Sequence, residues 1–378
     1  MLASYKISNF KSFSNVTHFD FTRTNYQILT DTNVYGDILK GAIFVGANAS
    51  GKSNSIIAIK FLLDCLLGKQ EINIAQYICL FSSIPVMDLE YKFVIDGTDI
   101  EYKISYQAID KNLNETLLVD GKTVFYRDGS VATVDIKEHV THTDVPRDSL
   151  FLRTVYFNTK FQGNYVLQNW FRYLSNSIYI DLYSGHIVQY RDIDLSLNAY
   201  LEEYGENKIN TFFEEYKFNQ AIEYTKKSQG NKIFIESPEK TIYFKRKGID
   251  EPIPFPMESL GNRTLLRLLP AFFHCIENSG MLLLDEFSSG FHNELETLLI
   301  KYFMNSSKNS QLIFVSHSTN LLTNSLLRPD QIYSVSFNEN GSRIKRFSSE
   351  KPREAQNLEK MYLGGVFDGV PGYEYYTK

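Results

Sequence analysis

Residues 46–53 read Gly-Ala-Asn-Ala-Ser-Gly-Lys-Ser, which matches the pattern G-x-x-x-x-G-K-[ST] at every position. The apolar run at 42–45 comes just before it and predicts a buried parallel strand. Apolar residues then recur from Ser53 to Leu67, which predicts a helix directly after the loop. A strand, a glycine-rich loop and a helix N-terminus form an anion site, because backbone N–H groups and the helix dipole face the ligand. The stretch therefore predicts a phosphate-binding loop for a nucleotide.

Each defined position of the loop has a chemical reason. Gly46 and Gly51 allow backbone turns where a side chain would clash, so that the loop amides can point inward at phosphate oxygens. Lys52 is expected to reach the β- and γ-phosphates. The hydroxyl of Ser53 is expected to be a ligand of Mg²⁺.

A second apolar strand carries two carboxylates at its end. Residues 281–284 read Met-Leu-Leu-Leu and are followed by Asp285 and Glu286. Asp285 is placed to hold Mg²⁺, and Glu286 to orient or deprotonate the attacking water. The alternative is a strand that simply ends in acidic residues facing solvent.

The next apolar strand, at 312–315, is followed by Ser316 and His317. A histidine at the exit of a neighbouring parallel strand can bind the γ-phosphate and sense its hydrolysis. The alternative is a histidine with an ordinary role on the surface or in the core.

A third candidate, Ser259-Leu260-Gly261-Asn262, stands at the start of a predicted helix. Serine and glycine amides at a helix N-terminus bind anions. Because the loop at 46–53 already supplies a phosphate pocket, we expect this segment to reach a nucleotide held by another subunit. The alternative is a plain helix cap by Ser259.

Composition sets the broad class. The chain has 378 residues, 43% of them hydrophobic and 22% charged, with a net charge of −5. These values are ordinary for a globular protein, and the acidic balance weighs against a general affinity for nucleic acid. The basic run at 245–247 is interpreted as a solvated face. Three cysteines, no signal peptide and no membrane-length apolar run predict a cytoplasmic protein without membrane contact.

The pattern changes along the chain. From Asp88 to Val134 it has period two with Asp-Gly turns, which predicts an antiparallel meander. Residues 148–230 look mainly helical, and a hairpin is expected from Lys232–Ile235 to Thr241–Arg246 through 238–240. Helices and apolar strands alternate after residue 265, which predicts a parallel core sheet. The expected segments are therefore 1–140, the N-terminal half of the core with a β lobe; 141–250, a mainly helical insertion; and 251–378, the C-terminal half of the core.

The order of these motifs resembles the ABC-type ATPases, and within them the RecF/SMC-like branch. The opening segment 7–13, Ile-Ser-Asn-Phe-Lys-Ser-Phe, is similar to the first hairpin of that branch, and Asn48, Ser50 and Asn54 fit its version of the loop. The resemblance implies an α/β fold with a phosphate-loop core sheet, an antiparallel β lobe and a mainly helical insertion. It also implies ATP and Mg²⁺ as ligands and the hydrolysis of ATP.

A narrower resemblance is to ATPases related to the overcoming-lysogenisation-defect proteins. It rests on the segment 284–295 and on the tail Tyr362–Pro371. Two ATPase heads of the family sandwich two nucleotides head to tail. This implies a homodimer or higher oligomer in which Ser259, Gly261 and Asn262 contact the γ-phosphate across the interface and Ser289 belongs to the D-loop.

Full members of that group carry a C-terminal nuclease domain. We expect none here, because the sequence ends soon after the second half of the core. The chain resembles instead the stand-alone ATPase component of antiphage or abortive-infection systems, in which a separate protein carries the toxic activity.

Three functions stay open at this point. The first is an ATP-driven sensor or scaffold that controls a nuclease or toxin partner. The second is a RecF-like DNA-repair ATPase, for which nucleic acid would be the partner. The third is an enzyme with a separate active site in 140–250, where Asp181, His186, Arg191 and Asp192 lie near one another in a spacing that matches no catalytic pattern.

Overall fold

A computed structural model describes residues 1–289 and 291–370. The strands are β1 Leu2–Ser8, β2 Thr17–Asp20, β3 Val34–Tyr35, β4 Ile38–Leu39, β5 Gly41–Gly46, β6 Val86–Ile95, β7 Thr98–Gln107, β8 Asn112–Val119, β9 Lys122–Asp128, β10 Val131–Asp135, β11 His139–His142, β12 Ile178–Asp181, β13 His186–Gln189, β14 Gln220–Gln229, β15 Phe234–Arg246, β16 Ile249–Pro254, β17 Met281–Asp285, β18 Gln311–Val315, β19 Ile332–Asn338 and β20 Gly341–Arg346. The helices are α1 Thr30–Asn33, α2 Lys52–Leu67, α3 Phe151–Thr159, α4 Tyr165–Ser175, α5 Leu197–Tyr204, α6 Asn207–Glu215, α7 Leu260–Asn278, α8 Asn293–Ser306 and α9 Leu358–Leu363.

The chain divides into two compact units. Unit 1 contains residues 1–191, 275–289 and 293–378, and unit 2 contains residues 192–274 and 290–292. The three-segment division expected along the sequence stays a prediction about how the chain is organised. None of the described helices is long and apolar enough to cross a membrane.

Unit 1 is built on a seven-stranded sheet with the order β13-β12-β17-β18-β5-β19-β20. The neighbours from β12 to β19 pair in parallel, and β13 and β20 add antiparallel edges. β5, β17 and β18 are buried along almost their whole length, as expected for a parallel sheet covered on both faces. The predicted parallel core sheet is confirmed, and the carboxyl ends of β5, β17 and β18 meet at one edge.

A second sheet in unit 1 is antiparallel, with the order β11-β10-β9-β8-β7-β6-β1-β2. Its hairpins turn at Asp96-Gly97 and Asp120-Gly121, and all four residues have positive φ. Asp-Gly pairs favour this turn, because its backbone twist matches that of the flanking strands. The predicted antiparallel lobe is confirmed.

α2 follows the glycine-rich loop and is apolar on most of its circumference. Its residues from Ile56 to Leu66 include seven apolar side chains with 0% exposure, as expected for a helix covered on several sides: Ile56, Ala58, Ile59, Phe61, Leu62, Leu63 and Leu66. Tyr5 of β1 donates to the Ser55 carbonyl at 2.8 Å, and Tyr91 of β6 donates to the Ala58 carbonyl at 2.7 Å. The antiparallel sheet therefore holds the helix that begins at Lys52.

The expected helical character of 148–230 is correct only in part. α3 to α6 lie in this range, but β12, β13 and β14 lie there too, and β12 pairs with β17 inside the core sheet. The core sheet therefore takes a strand from within the range that the sequence predicts to be mainly helical. A run of four residues, Ile178–Asp181, is too short for its period to distinguish a strand from a helix.

The hairpin expected through 238–240 is wrong. β15 runs through these residues without turning and pairs with β14 on both sides of a register shift between Thr225 and Lys227. Pro238 lies within the shift, where the ladder needs no N–H donor from it. Unit 2 thus contains a three-stranded sheet, β14-β15-β16, together with α5, α6 and most of α7.

A buried ion pair holds the antiparallel lobe to the start of α3. Arg127 and Glu115 both have 0% exposure, and Arg127 Nη1 lies 2.9 Å from Glu115 Oε1. Glu115 also accepts the backbone N–H of Phe151 at 2.7 Å, and Arg127 donates to the carbonyl of Ser149 at 2.7 Å. The pair satisfies buried charges that would otherwise be costly.

Replacing Arg127 by leucine is expected to destabilise unit 1 by about 3–5 kcal/mol, because a buried carboxylate loses its counter-charge. Urea denaturation followed by tryptophan fluorescence measures the loss. The double variant Arg127→Leu/Glu115→Leu is expected to recover much of it. A single variant as stable as the parent would show that the pair does not hold the lobe.

Candidate functional site

The loop between β5 and α2 depends on its two glycines. Gly46 has φ 156° and Gly51 has φ 100°. A Cβ on Gly46 would lie 2.2 Å from the carbonyl oxygen of Val335, and a Cβ on Gly51 would lie 2.2 Å from Ser342 Oγ. Real Cβ atoms do not approach other atoms so closely, so the loop path requires glycine at both positions.

α2 begins at Lys52, and its first turn, Lys52 to Ser55, contains no carboxylate. The N–H groups of a first helical turn have no partner inside the helix and carry the positive end of the helix dipole. Together with the loop amides they provide donors for an anion.

Lys52 is held inside the loop. It is 5% exposed, and its Nζ donates to the carbonyls of Gly46 at 3.1 Å and Ala47 at 2.8 Å. Burial lowers the pKa of the Lys52 ammonium, while the nearby carboxylates of Glu286 and Asp285 act in the opposite direction. The ammonium is already removed from water, so a phosphate would gain a strong electrostatic partner there.

Ser53 and Asp285 are brought together from positions far apart in the sequence. Ser53 Oγ donates to Asp285 Oδ1 at 2.9 Å, and Asp285 is 7% exposed at the end of β17. Burial raises the pKa of Asp285, and the hydrogen bond from Ser53 opposes the rise. One hydroxyl and one carboxylate oxygen side by side suit a hard cation such as Mg²⁺, which keeps several waters and takes further oxygens from phosphates. Across residues 1–289 and 291–370, no group of three or more His, Cys, Asp or Glu side chains could enclose a metal ion.

Glu286 and His317 face each other across the ends of β17 and β18. His317 Nε2 lies 3.3 Å from Glu286 Oε2, and both side chains are about one-third exposed. Glu286 has φ 54°, a left-handed conformation that costs energy for a residue with a Cβ. The backbone N–H of His317 donates to Ser288 Oγ at 3.2 Å. A carboxylate and an imidazole are thus held at the mouth of the phosphate loop.

These side chains line one open cleft of unit 1, with a volume of about 530 Å³. Its lining consists of Asn48, Ala49, Gly51, Lys52, Ser53, Asn54, Tyr183, Glu286 and His317. Ser50 is 2% exposed, and its Oγ has no hydrogen-bond partner among the described residues. The cleft thus brings most of the predicted loop residues together with Glu286 and His317. Asp285 does not line it but contacts it through the hydroxyl of Ser53.

Ser259, Gly261 and Asn262 belong to unit 2, at the start of α7. Ser259 Oγ accepts the N–H of Asn262 at 3.3 Å, so Ser259 does cap the helix. The side chain of Asn262 donates to Gln220 Oε1 at 3.1 Å. The role of this segment towards a second subunit stays a prediction.

The two remaining family segments are placed as follows. Ser289, which the resemblance assigns to the D-loop, comes directly before Gly290, and its N–H donates to the carbonyl of Glu286 at 2.8 Å. Gly290 within that segment, and Pro371 at the end of the tail motif, lie outside the described residues.

Two tyrosines near β12 were missed from the sequence. Tyr179 is 8% exposed and its hydroxyl donates to Asp285 Oδ2 at 3.4 Å, while Tyr183 lines the cleft. Asp181, one of the four residues named above for a separate active site, accepts the backbone N–H groups of Tyr183 at 3.0 Å and Ser184 at 3.2 Å. The apolar run at 178–180 was the available signal, since it places these residues beside β17.

Replacing Tyr179 by phenylalanine removes only the hydroxyl that contacts Asp285. We expect the concentration of Mg²⁺ needed for half-maximal nucleotide binding to rise about 2- to 10-fold, because one modest hydrogen bond that orients the carboxylate is lost. Fluorescent ATP binding, titrated with Mg²⁺, measures the change. Tyr224→Phe in unit 2 is the control, and an equal response of both variants would contradict the role of Tyr179.

The fold is similar to that of SMC head domains. The SMC head domain from Thermotoga maritima matches with a TM-score of 0.50 and 15% identity, over 91% of this chain and 97% of that one. An SmcHead bound to the C-winged helix domain of ScpA matches with a TM-score of 0.51 and 16% identity, over 91% and 96%. A third match is an Smc head domain with an extended coiled coil, bound to the C-terminal domain of ScpA derived from Pyrococcus furiosus. Its TM-score is 0.51 and its sequence identity 14%, over 91% of this chain and 95% of that one. These likenesses show an ABC-type ATPase fold of the SMC kind, as the RecF/SMC-like resemblance implied.

No curated protein matches the sequence. The family described as "AAA domain, putative AbiEii toxin, Type IV TA system" matches residues 42–323, which include the phosphate loop, Asp285, Glu286 and His317. With well over half of its length matched and the fold of an ABC-type ATPase, the chain belongs to this AAA-domain family.

Proposed function

We propose that the chain binds Mg²⁺–ATP in the cleft of unit 1, hydrolyses it to ADP and phosphate, and uses the bound state to control its own assembly. The observation that carries the proposal is the meeting of Glu286 and His317, 3.3 Å apart, in the same cleft as Lys52 and Ser53. A phosphate loop alone supports binding. A carboxylate and an imidazole beside it also support hydrolysis.

The roles follow from position. Lys52 and the loop amides would bind the β- and γ-phosphates, and Ser53 and Asp285 would hold Mg²⁺. When bound, Mg²⁺ neutralises charge on the phosphate oxygens. Glu286 would orient the attacking water and accept its proton, while His317 would donate a hydrogen bond to the γ-phosphate.

The assembly part of the proposal rests on the segment 259–262. We infer that two chains pair head to tail, so that Ser259 and Gly261 of one chain complete the nucleotide site of the other. The SMC-type fold and the position of this segment at the N-terminus of α7 support this. ATP would then favour a dimer, and hydrolysis would release it.

The biological role that we propose is a sensor or scaffold in antiphage defence, acting on a separate nuclease or toxin. Membership of a family named for a putative AbiEii toxin in type IV toxin–antitoxin systems supports it. The free thiols of Cys65, Cys79 and Cys275 fit a reducing cytoplasm. Expression of the native operon and affinity purification of the chain should recover an effector in an ATP-dependent amount. Recovery of the chain alone, with and without ATP, would contradict this role.

The basic run at 245–247 gives little support to the alternative function, a DNA-binding repair ATPase. Arg246 Nη2 lies 2.6 Å from Glu258 Oε1, and Lys245 Nζ lies 3.6 Å from Glu223 Oε2. Because acidic partners offset two of the three positive charges, the run is a weak attraction for phosphodiesters. ATP-dependent binding of duplex DNA at low salt would favour the alternative.

A further inference from the structure

Two buried serines from opposite ends of the chain meet at the phosphate loop. Ser12 lies in the turn after β1 and is 9% exposed, and Ser342 lies in β20 and is 3% exposed. Their Oγ atoms are 2.7 Å apart, and the N–H of Ser342 donates to the carbonyl of Ser12 at 2.7 Å. The pair therefore joins the N-terminal turn to the β19–β20 hairpin.

The hydroxyl protons of this pair can be assigned. Ser342 Oγ lies 2.7 Å from the carbonyl oxygen of Ser50, and a carbonyl only accepts, so the single hydroxyl proton of Ser342 goes to Ser50. The proton between the two serines must then come from Ser12. Ser12 Oγ in turn accepts from Asn54 Nδ2 at 2.7 Å. The hydrogen bonds run in one direction, from Asn54 through both serines to the Ser50 carbonyl, and each strengthens the next.

This arrangement determines which way one loop amide faces. The C=O and N–H groups of a planar trans peptide point in opposite directions. Because the Ser50 carbonyl is held towards Ser342, the N–H of Gly51 points away from the two serines. Gly51 lines the cleft, and its Cα faces the two hydroxyls so closely that an added Cβ would lie 2.6 Å from Ser12 Oγ. The serines thus fix the peptide between residues 50 and 51.

We propose that Ser342 is a positioning residue for the phosphate loop, and that Ser12 acts through it. The pair keeps the peptide 50–51 oriented for phosphate binding before the nucleotide arrives. This inference rests on the proposed function, because it requires that the loop takes a phosphate.

The test compares Ser342→Ala, Ser12→Ala and the double variant by equilibrium binding of a fluorescent ATP analogue. Ser342→Ala is expected to weaken binding about tenfold, because the Ser50 carbonyl loses its donor and the peptide can turn. Ser12→Ala is expected to weaken it about two- to threefold, since Ser342 still donates to Ser50. The double variant should match Ser342→Ala, because Ser12 acts only through Ser342.

Ser334→Ala is the matched control. Ser334 is 1% exposed in the neighbouring strand β19. Its hydroxyl donates to the carbonyl of Phe367 and lies 3.2 Å from the carbonyl oxygen of Lys345. This variant also loses a buried serine hydroxyl, but it leaves the loop untouched. Its nucleotide affinity is expected to equal that of the parent, even where its melting temperature falls.

Steady-state kinetics separates positioning from simple destabilisation. Ser342→Ala should raise KM for ATP while kcat stays within about twofold. This pattern indicates the loss of an interaction that stabilises the bound ground state and the transition state equally. If Ser342→Ala is too unstable to be measured, the test rests on Ser12→Ala alone. An unchanged affinity of that variant for the ATP analogue would overturn the inference.

The outcomes distinguish the two proposals. If the parent chain binds ATP, and Ser342→Ala binds it as tightly as Ser334→Ala does, the serine pair does not position the loop and the proposed function stands. If the loss of nucleotide affinity in the double variant equals the product of the two single losses, Ser12 does not act through Ser342. If the parent chain binds no nucleotide, the proposed function is wrong, and this inference falls with it.

Discussion

Replacing Lys52 by alanine is expected to raise the dissociation constant for ATP by about 30-fold or more. The Lys52 ammonium is 5% exposed and is already held by two loop carbonyls. Its removal takes away a desolvated positive charge at the place of the phosphates, a kind of loss that costs about 2–5 kcal/mol. Isothermal titration with Mg²⁺–ATP measures the change.

The matched control for this variant is Lys301→Ala. Lys301 lies on α8 and is exposed, so its removal changes the net charge equally without touching the cleft. We expect its affinity to equal that of the parent. Tight ATP binding by Lys52→Ala would show that the nucleotide binds elsewhere.

Replacing Glu286 by glutamine is expected to lower ATP turnover about 10²- to 10⁴-fold, while ATP binding persists. The amide keeps the size of the carboxylate but cannot accept the proton of the attacking water, and this range is typical for the loss of a general base. Phosphate release in single-turnover experiments measures the step directly. The variant should retain bound ATP, where the parent retains ADP.

Glu350→Gln provides the control for Glu286→Gln. Glu350 forms a surface ion pair with Lys345 at 2.8 Å, outside the residues that line the cleft. Its turnover is expected to equal that of the parent. Turnover by Glu286→Gln at the rate of the parent would remove Glu286 from the reaction.

The central parts of the fold could be predicted because their signals are local. The buried runs at 42–45, 281–284 and 312–315 form β5, β17 and β18, and the Asp-Gly pairs form the turns of the antiparallel sheet. The residues expected at the cleft follow from the same logic, since parallel strands bring their carboxyl ends to one edge.

Other parts depend on contacts between distant residues. Tyr179 and Asp285 are separated by 106 positions, and Ser342 and Ser50 by 292, so no local pattern could pair them. Pro238 predicts a turn locally, but pairing of β15 with β14 on both sides of it keeps the strand extended. At Pro238, tertiary hydrogen bonding thus overrides a local preference.

The mass of Glu286→Gln in solution tests most directly the claim that nucleotide controls assembly. Sedimentation velocity with Mg²⁺–ATP should show a particle of two 43.7 kDa chains, and the same protein without nucleotide should sediment as one chain. Adding Ser259→Arg, which places a bulky side chain at the expected interface, should restore the single chain in the presence of ATP. Equal mass with and without Mg²⁺–ATP would contradict the account.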